Sequence, residues 1–341
     1  MKNSYRKFSG CLFMLIIATA TLTGGCGGGG GGSGGVASGT LQITPNNAVQ
    51  VSAQSAYVSG VMDSTGANAG GITAQNLRQK APRINLAALI SGHVARLGGA
   101  LPPMRAASNR VMPSALPAPE LIGCSVSGTI LITVLSSSSA VVSFTNCVDS
   151  ASSGIANGIM VLSALSFSDV NFVPPWNVSA NVKMNDFTVD DGVHVVVLNG
   201  STHLTDSMKV DGITETYTLS GGPLVLDVDG HNSTLSGFSV SLVEDQNTLA
   251  YSTSLNGTLA TDQLRGDVVL DTLTPFSGIN IDLDNPLSGS MVVRGAAHST
   301  LKLTAIGNGQ VRLEVDADGD GAVDAGGTSI TSWTALEAAL L

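Results

Sequence analysis

Between residues 124 and 315 the chain repeats one pattern: apolar and polar residues alternate one by one. NVSANVKMND, from Asn177, sets Val178, Ala180, Val182 and Met184 against Ser179, Asn181 and Lys183. GFSVSL does the same with Phe238, Val240 and Leu242, and LKLTA and VRLEVD carry the pattern toward the C-terminus. Successive side chains of a strand point to opposite faces. This period therefore demands sheets with one buried and one wet face, the habit of antiparallel pairing. About 12 to 15 such runs are separated by NG, DG, SG and GG dipeptides, which are expected to turn the chain. Roughly 200 residues of this kind suit one domain. The expected fold is mainly β: an antiparallel multi-stranded sandwich, barrel or curved sheet over residues 120–341, preceded by a partly helical N-terminal segment.

Composition points the same way. Aromatic residues make up 4% and charged residues 12% of the chain, while Ser, Thr, Gly, Val and Leu dominate, as in exported β domains. A weak internal echo accompanies the alternation. NDFTV leads to LNGSTHLTD and SGFSV to LNGTLATD, with a looser copy from SFTNC to ANGIMVL. Within these copies Asn-Gly falls at 157, 199 and 256, too unevenly for a solenoid period. Successive hairpins of a meander account for it.

The N-terminus is of another kind. Lys2, Arg6 and Lys7 precede CLFMLIIATA, and TLTGG then leads to Cys26 and a run of glycines. A basic start, about ten apolar residues and a small-residue exit over residues 1–25 have the form of an export signal. The apolar run is shorter than the roughly 20 residues of a membrane span. The stretch resembles the lipobox of bacterial lipoproteins, although Leu22 stands four residues before the cysteine rather than three. That resemblance implies cleavage after Gly25 and acylation of Cys26. Because Gly27 rather than Asp follows, it also implies sorting to the outer membrane. Two or more acyl chains anchor stably where one binds marginally. Residues 26–40, nearly all Gly and Ser, are expected to be a flexible tether reaching on the order of 20 Å.

Loss of residues 1–25 removes three of the 15 basic residues and none of the 25 acids, leaving a net charge near −13. General nucleic-acid binding is excluded by that sign. The bases are segregated: Arg78, Lys80, Arg83, Arg96, Arg105 and Arg110 face Asp63 alone between Val36 and Pro119, and acids prevail from Glu120 onward. The basic segment is expected to dock on the acidic domain or to face anionic lipid phosphates. INLAALISGHVARL puts Leu86, Leu89, Ile90, Val94 and Leu97 on one helical stripe, so residues 41–99 read as partly helical. Residues 100–119, with Pro102, Pro103, Pro113, Pro117 and Pro119, read as an extended linker.

Two motifs remain. Cys124 and Cys147 bracket two alternating runs that pair around LSSS, which sets the cysteines opposite one another at the open end of a hairpin. Outside the cytoplasm such a pair oxidises. In VDADGDGAVDAGG, Asp316, Asp318, Asp320, Gly321 and Asp324 fit D-x-D-x-D-G-x-x-D, and Ala322 offers its backbone carbonyl. Alternate carboxylates can converge on one hard cation, and glycine permits the sharp turn. These nine residues resemble EF-hand-like calcium loops, especially extracellular ones embedded in β proteins. They depart from the pattern at Gly327, where an EF-hand places a bidentate Glu. The resemblance implies a structural Ca²⁺ held weakly, with Kd about 10⁻⁴ to 10⁻³ M.

Catalytic patterns are not sustained. GGSGG at Gly31 satisfies G-x-S-x-G only formally, inside the tether. His194, His203, His231 and His298 are scattered. Asp227 with Asp229, and Asp282 with Asp284, read as solvated pairs on strand faces, and Trp176 and Trp333 as core anchors. Tether, cysteine hairpin, NG-punctuated strands and VRLEVDADGDG together resemble a loose group of proteobacterial outer-membrane lipoproteins, a likeness that brings no activity with it. The expected function is that of a non-catalytic, membrane-anchored envelope lipoprotein, periplasmic or surface-exposed, with a binding or structural role toward a protein or an apolar ligand. One alternative is a carrier that holds lipid or another apolar ligand on the concave face of a sheet. An envelope hydrolase, the other, would need clustered polar side chains.

Overall fold

The computed structural model of the chain describes residues 40–63, 118–124, 126–148, 154–169, 172–190, 192, 195–279 and 285–339. Cys26, the stripe of residues 84–97, the six basic residues between 78 and 110, His194, Asp282 and Asp284 lie outside the described residues.

Fourteen strands run in order: β1 Glu120–Gly123, β2 Ser127–Ser136, β3 Ser139–Val148, β4 Ile155–Phe167, β5 Trp176–Asp190, β6 Val195–Met208 and β7 Thr214–Val228. They continue with β8 His231–Asp245, β9 Ala250–Thr261, β10 Gly266–Ile279, β11 Ser288–Arg294, β12 Thr300–Gly307, β13 Gln310–Asp316 and β14 Thr328–Ser332. Helix α1 spans Ala48–Asp63 and helix α2 spans Trp333–Ala338, and a short 3₁₀ turn covers Ala296–His298. Every strand pairs antiparallel with the next, so the order across the sheet is the order along the chain. The result is a single open sheet of 14 strands, ending at β1 and β14. Of the antiparallel forms that the alternation allows, this is the curved sheet; it is neither closed nor divided in two.

Alternation decides which side is buried. Along β5, Trp176, Val178, Ala180, Val182 and Met184 point inward and are buried, while Asn177, Asn181 and Lys183 face solvent. Beyond Met184 the parity flips, and Phe187 and Val189 are the buried residues. The same flip occurs in β3 between Phe144 and Cys147, in β7 between Leu219 and Leu224, and in β8 between Leu235 and Phe238. In β3, β5 and β8 the flip coincides with a break in register where the strand carries extra residues. A bulge of this kind bends the strand and keeps one face inward across the bend.

Asn308-Gly309 turns the chain between β12 and β13, as expected. The other three Asn-Gly pairs lie opposite these bulges, in the middle of strands, which corrects the expectation that they are turns. Asn157-Gly158 is within β4, Asn199-Gly200 within β6 and Asn256-Gly257 within β9. Each asparagine repairs a neighbour's broken ladder: its side-chain oxygen accepts from the backbone N–H of Asn146 (2.7 Å), Asp186 (2.7 Å) and Thr272 (2.8 Å) respectively. Each glycine occupies an inward position and receives the backbone of the strand on its other side. A Cβ at Gly158 would lie 2.6 Å from the Asp186 carbonyl oxygen, at Gly200 2.4 Å from that of Pro223, and at Gly257 2.9 Å from Phe238 Cβ. These glycines also hold φ values of 110°, 136° and 152°, which other residues rarely adopt. The bulges and glycines form a crease that bends the sheet toward its own buried face. Phe144 and Phe187, on strands two apart, would be separated by about 10 Å in a flat sheet; here their rings meet edge to face at 5.3 Å.

Part of the inward face is covered by α1. Val51, Ser52, Ala53, Gln54 and Ser55 are all buried, more than one full turn, so the helix has no wet side there and no amphipathic stripe to betray it. Its serines are satisfied internally: Ser52 Oγ donates to the Ala48 carbonyl and Ser55 Oγ to that of Val51. The helix touches β8 and β9 and also β12 and β13, so the sheet curves round it. The preceding residues fix its position. Leu41 N–H donates to the Asp267 carbonyl, Ala296 N–H to that of Leu41, and Ile43 N–H to the buried Ser299 hydroxyl. Trp333 of α2 packs edge to face on Phe276 at 5.9 Å, and both Trp176 and Trp333 belong to the core.

Cys124 and Cys147 form a disulfide with Cα atoms 5.5 Å apart, at the open end of the β2–β3 hairpin. Its loss in Cys124→Ser/Cys147→Ser should lower stability by roughly 3 kcal/mol on the chain-entropy account, read as a lower denaturant midpoint. For the crease, Gly200→Ala should cost about 3 kcal/mol or more, since both φ and the Pro223 carbonyl oppose a side chain. Gly123→Ala, with nothing near its Cβ position, should stay within about 0.5 kcal/mol of wild type in the same urea titration.

Candidate metal centre

The acidic loop leaves β13 at Asp316 and returns as β14 at Thr328. Backbone bonds close its neck: Asp324 N–H donates to the Val315 carbonyl, Val315 N–H to that of Gly327, and Gly327 N–H to that of Asp324. Two strands thus present the loop, in place of the helices that flank an EF-hand.

Within it, carboxylates organise the backbone. Asp316 is 8% exposed. It accepts from Gly319 N–H through Oδ1 (2.7 Å) and from Gly321 N–H through Oδ2 (2.9 Å), so the chain winds round this one side chain. Asp318 Oδ1 accepts from Asp320 N–H (3.2 Å), and Asp320 Oδ1 from Ala322 N–H (2.7 Å). Gly321 has φ of 89° with open space at its Cβ position, so conformation rather than crowding selects glycine there. Gly319 has both constraints, because a Cβ would lie 2.6 Å from His298 Cβ.

Asp316, Asp318 and Asp320 come together, one carboxylate oxygen of each lying within 4.8 Å of the others. Asp316 is buried and the other two are exposed. Asp324 is placed differently: its Oδ2 accepts from Ala317 N–H at 2.7 Å and ties the end of β13 to the far side of the loop. Ala322 is exposed. At Gly327 a Cβ would lie 2.6 Å from the Val315 carbonyl oxygen and 3.0 Å from that of Asp324. No glutamate can be accommodated there, which explains why the twelfth position departs from the EF-hand pattern. The donor set is three hard carboxylates with hydrogen-bonded, pre-set orientations, chemistry that suits Ca²⁺ or Mg²⁺ rather than a softer metal.

The remaining sequence candidates are dispersed. Asp227 Oδ1 accepts from Gly230 N–H within the β7–β8 turn, and Asp229 Oδ1 from Val195 N–H at the start of β6, so the two serve different backbone groups rather than sharing a strand face. His203 bonds Asn181 at 2.8 Å on the solvent side of β5 and β6. His231 lies 3.9 Å from Asp262, and His298 sits in the 3₁₀ turn. One cluster was not anticipated: Asp206, Glu215, Tyr217 and Glu244, at the end of β6, β7 and β8. Asp206 continues the inward parity of Thr202 and Leu204 and is 2% exposed. An acid in phase with buried residues was the available signal.

The chain matches no protein-family model, no curated protein and no solved structure, so the loop is judged on its own chemistry. At 10 mM Ca²⁺ a site with Kd of 10⁻⁴ to 10⁻³ M would add about 1.4 to 2.7 kcal/mol of stability. The wild-type melting temperature should rise by a few degrees, and Asp316→Asn/Asp320→Asn should not respond. A wild-type melt unchanged by 10 mM Ca²⁺ removes the site.

Proposed function

We propose that this chain is an exported lipoprotein, acylated at Cys26 and held at the outer membrane, whose β domain serves a binding or structural role in the cell envelope with Ca²⁺ stabilising the β13–β14 loop. The observation that supports this reading most is the Cys124–Cys147 disulfide. Structural disulfides persist in oxidising compartments and are rare in the cytosol, which accords with the export signal and with an address where millimolar calcium can fill a weak site. The basic start, the apolar run and the glycine tether around Cys26 supply the anchor.

A role by surface contact rather than by ligand storage is favoured by the inward face. Leu198, Leu204, Leu219, Leu224, Leu226 and Leu235 have 0% exposure, leaving them no contact with a water-sized space in which an apolar ligand could sit. The described histidines stand on separate elements, and a His-based hydrolytic site would need them joined to a nucleophile and an acid.

Growth of an expressing Gram-negative host with radiolabelled palmitate tests the anchor. The wild-type chain should take up label and fractionate with the outer membrane, with mass spectrometry placing Cys26 at its N-terminus. Cys26→Ser should be unlabelled. A wild-type chain that retains residues 1–25 without lipid overturns the reading.

A further inference from the structure

We propose that Asp206, Glu215 and Glu244 form a proton-held clasp across β6, β7 and β8, closed while the carboxyl cluster keeps a shared proton and loosened when the proton is lost. The arrangement follows from register. Asp206 lies opposite Tyr217, and Glu215 lies opposite both Met208 on β6 and Glu244 on β8. Like-charged residues directly opposite in a ladder repel. Asp206 is 2% and Tyr217 9% exposed, so the site reaches from the solvent edge at Glu244 into the core.

Asp206 and Glu215 are diagonal neighbours across β6 and β7, Glu215 stands opposite Glu244, and all three share the parity of the buried residues around them. Carboxylates crowded together on a buried face resist ionising together, so the cluster favours keeping a proton. Gln246 completes the clasp from the β8–β9 turn. Its side-chain amide donates to Glu215 Oε2 at 2.6 Å and lies 3.4 Å from Glu244 Oε2, and its backbone N–H donates to the Ile213 carbonyl in the β6–β7 turn. Two hairpin ends are thereby held to the acidic cluster.

The surroundings separate inner from outer acids. Burial holds the Glu215 carboxyl above its ordinary range, against the hydrogen bonds from Tyr217, Asp206 and Gln246. Burial, then the charges of Glu215 and Asp206, raise the Tyr217 phenol, which stays protonated. At the turns the opposite holds. Backbone N–H groups of Thr214 and Ile213 lower Asp211, helped weakly by Lys209, and that of Thr248 lowers Asp245. These outer acids therefore give up their protons more readily than usual, whereas burial favours proton retention at Glu215. On the neighbouring elements, β5 sets uncharged Trp176 and Val178 opposite Met208 and Asp206, β9 sets Tyr251 opposite Glu244, and α1 carries no charged residue from Ala48 to Ser59.

The sign follows from linkage. A carboxyl that binds its proton more tightly in the folded chain than in the unfolded one contributes stability fully below the ordinary glutamate range. That contribution is lost as pH rises through the folded value. Within that window the local opening equilibrium should grow about tenfold per pH unit.

Residue-resolved amide exchange between pH 4 and 9, corrected for intrinsic rates, reads the clasp directly, together with a carboxyl titration of the wild-type protein by carbon-detected NMR. Glu215 should titrate above the ordinary range, and amides of 214–219 and 240–245 should lose protection over the same interval while β12 and β13 keep theirs. Glu215→Gln mimics the protonated acid and should flatten that loss; Asp206→Asn serves equally if the first variant does not fold. An ordinary titration of Glu215 overturns the proposal. So does a raised titration without loss of protection, or an unchanged loss in either folded variant.

Discussion

A row of mid-strand bulges, each matched to a glycine on the adjacent strand, is the constraint on which the rest of this structure depends. One sheet with an apolar face must cover that face, and most proteins do so with a second sheet or a layer of helices. Here the main solution is to crease the sheet. Extra residues in β3, β5 and β8 bend those strands, Gly158, Gly200 and Gly257 admit the neighbouring backbone, and Asn157, Asn199 and Asn256 accept the N–H groups that the broken ladder orphans. The energetic logic is that of any buried backbone: an unsatisfied N–H costs more than the asparagine bond contributes. The internal echo around these Asn-Gly pairs is the trace of this device used three times.

How much of this was legible depended on whether a local pattern has one meaning or two. Alternation has one, so the antiparallel β class, the inward residues of β5 and β8, and the Cys124–Cys147 hairpin could be read directly. Asn-Gly has two. It favours positive φ and side-chain-to-backbone bonding, which a hairpin turn needs and which a bulged crease needs equally. Parity separates them: Leu198 and Thr202 remain in phase across Gly200, as Leu255 and Leu259 do across Gly257. A true two-residue turn would reverse the chain there. The helical N-terminal segment is present as α1, but its place within residues 41–99 was hidden for another reason, because a helix buried on all sides has no periodic stripe.

The two acidic sites differ in the same way. Asp316, Asp318 and Asp320 are close in sequence, and a loop of that length can only wind them together, so the motif located the cluster. Sequence could not show that Asp324 serves the neck of the loop, or that Gly327 is crowded by the Val315 and Asp324 carbonyls. Asp206, Glu215 and Glu244 come from three strands and meet only through register. Their chemistry is also inverse. The loop gathers one buried and two exposed carboxylates that favour a cation, and the strand cluster favours a proton because burial penalises its charge.

The crease itself is most directly tested by residue-resolved hydrogen exchange through β6 and β9. Continuous strands predict slow exchange on both sides of Asn199-Gly200 and Asn256-Gly257, and protection of the Asp186 and Thr272 amides that the asparagine side chains accept. Fast-exchanging breaks at both Asn-Gly pairs, with unprotected amides at Asp186 and Thr272, would show turns in their place and contradict the account.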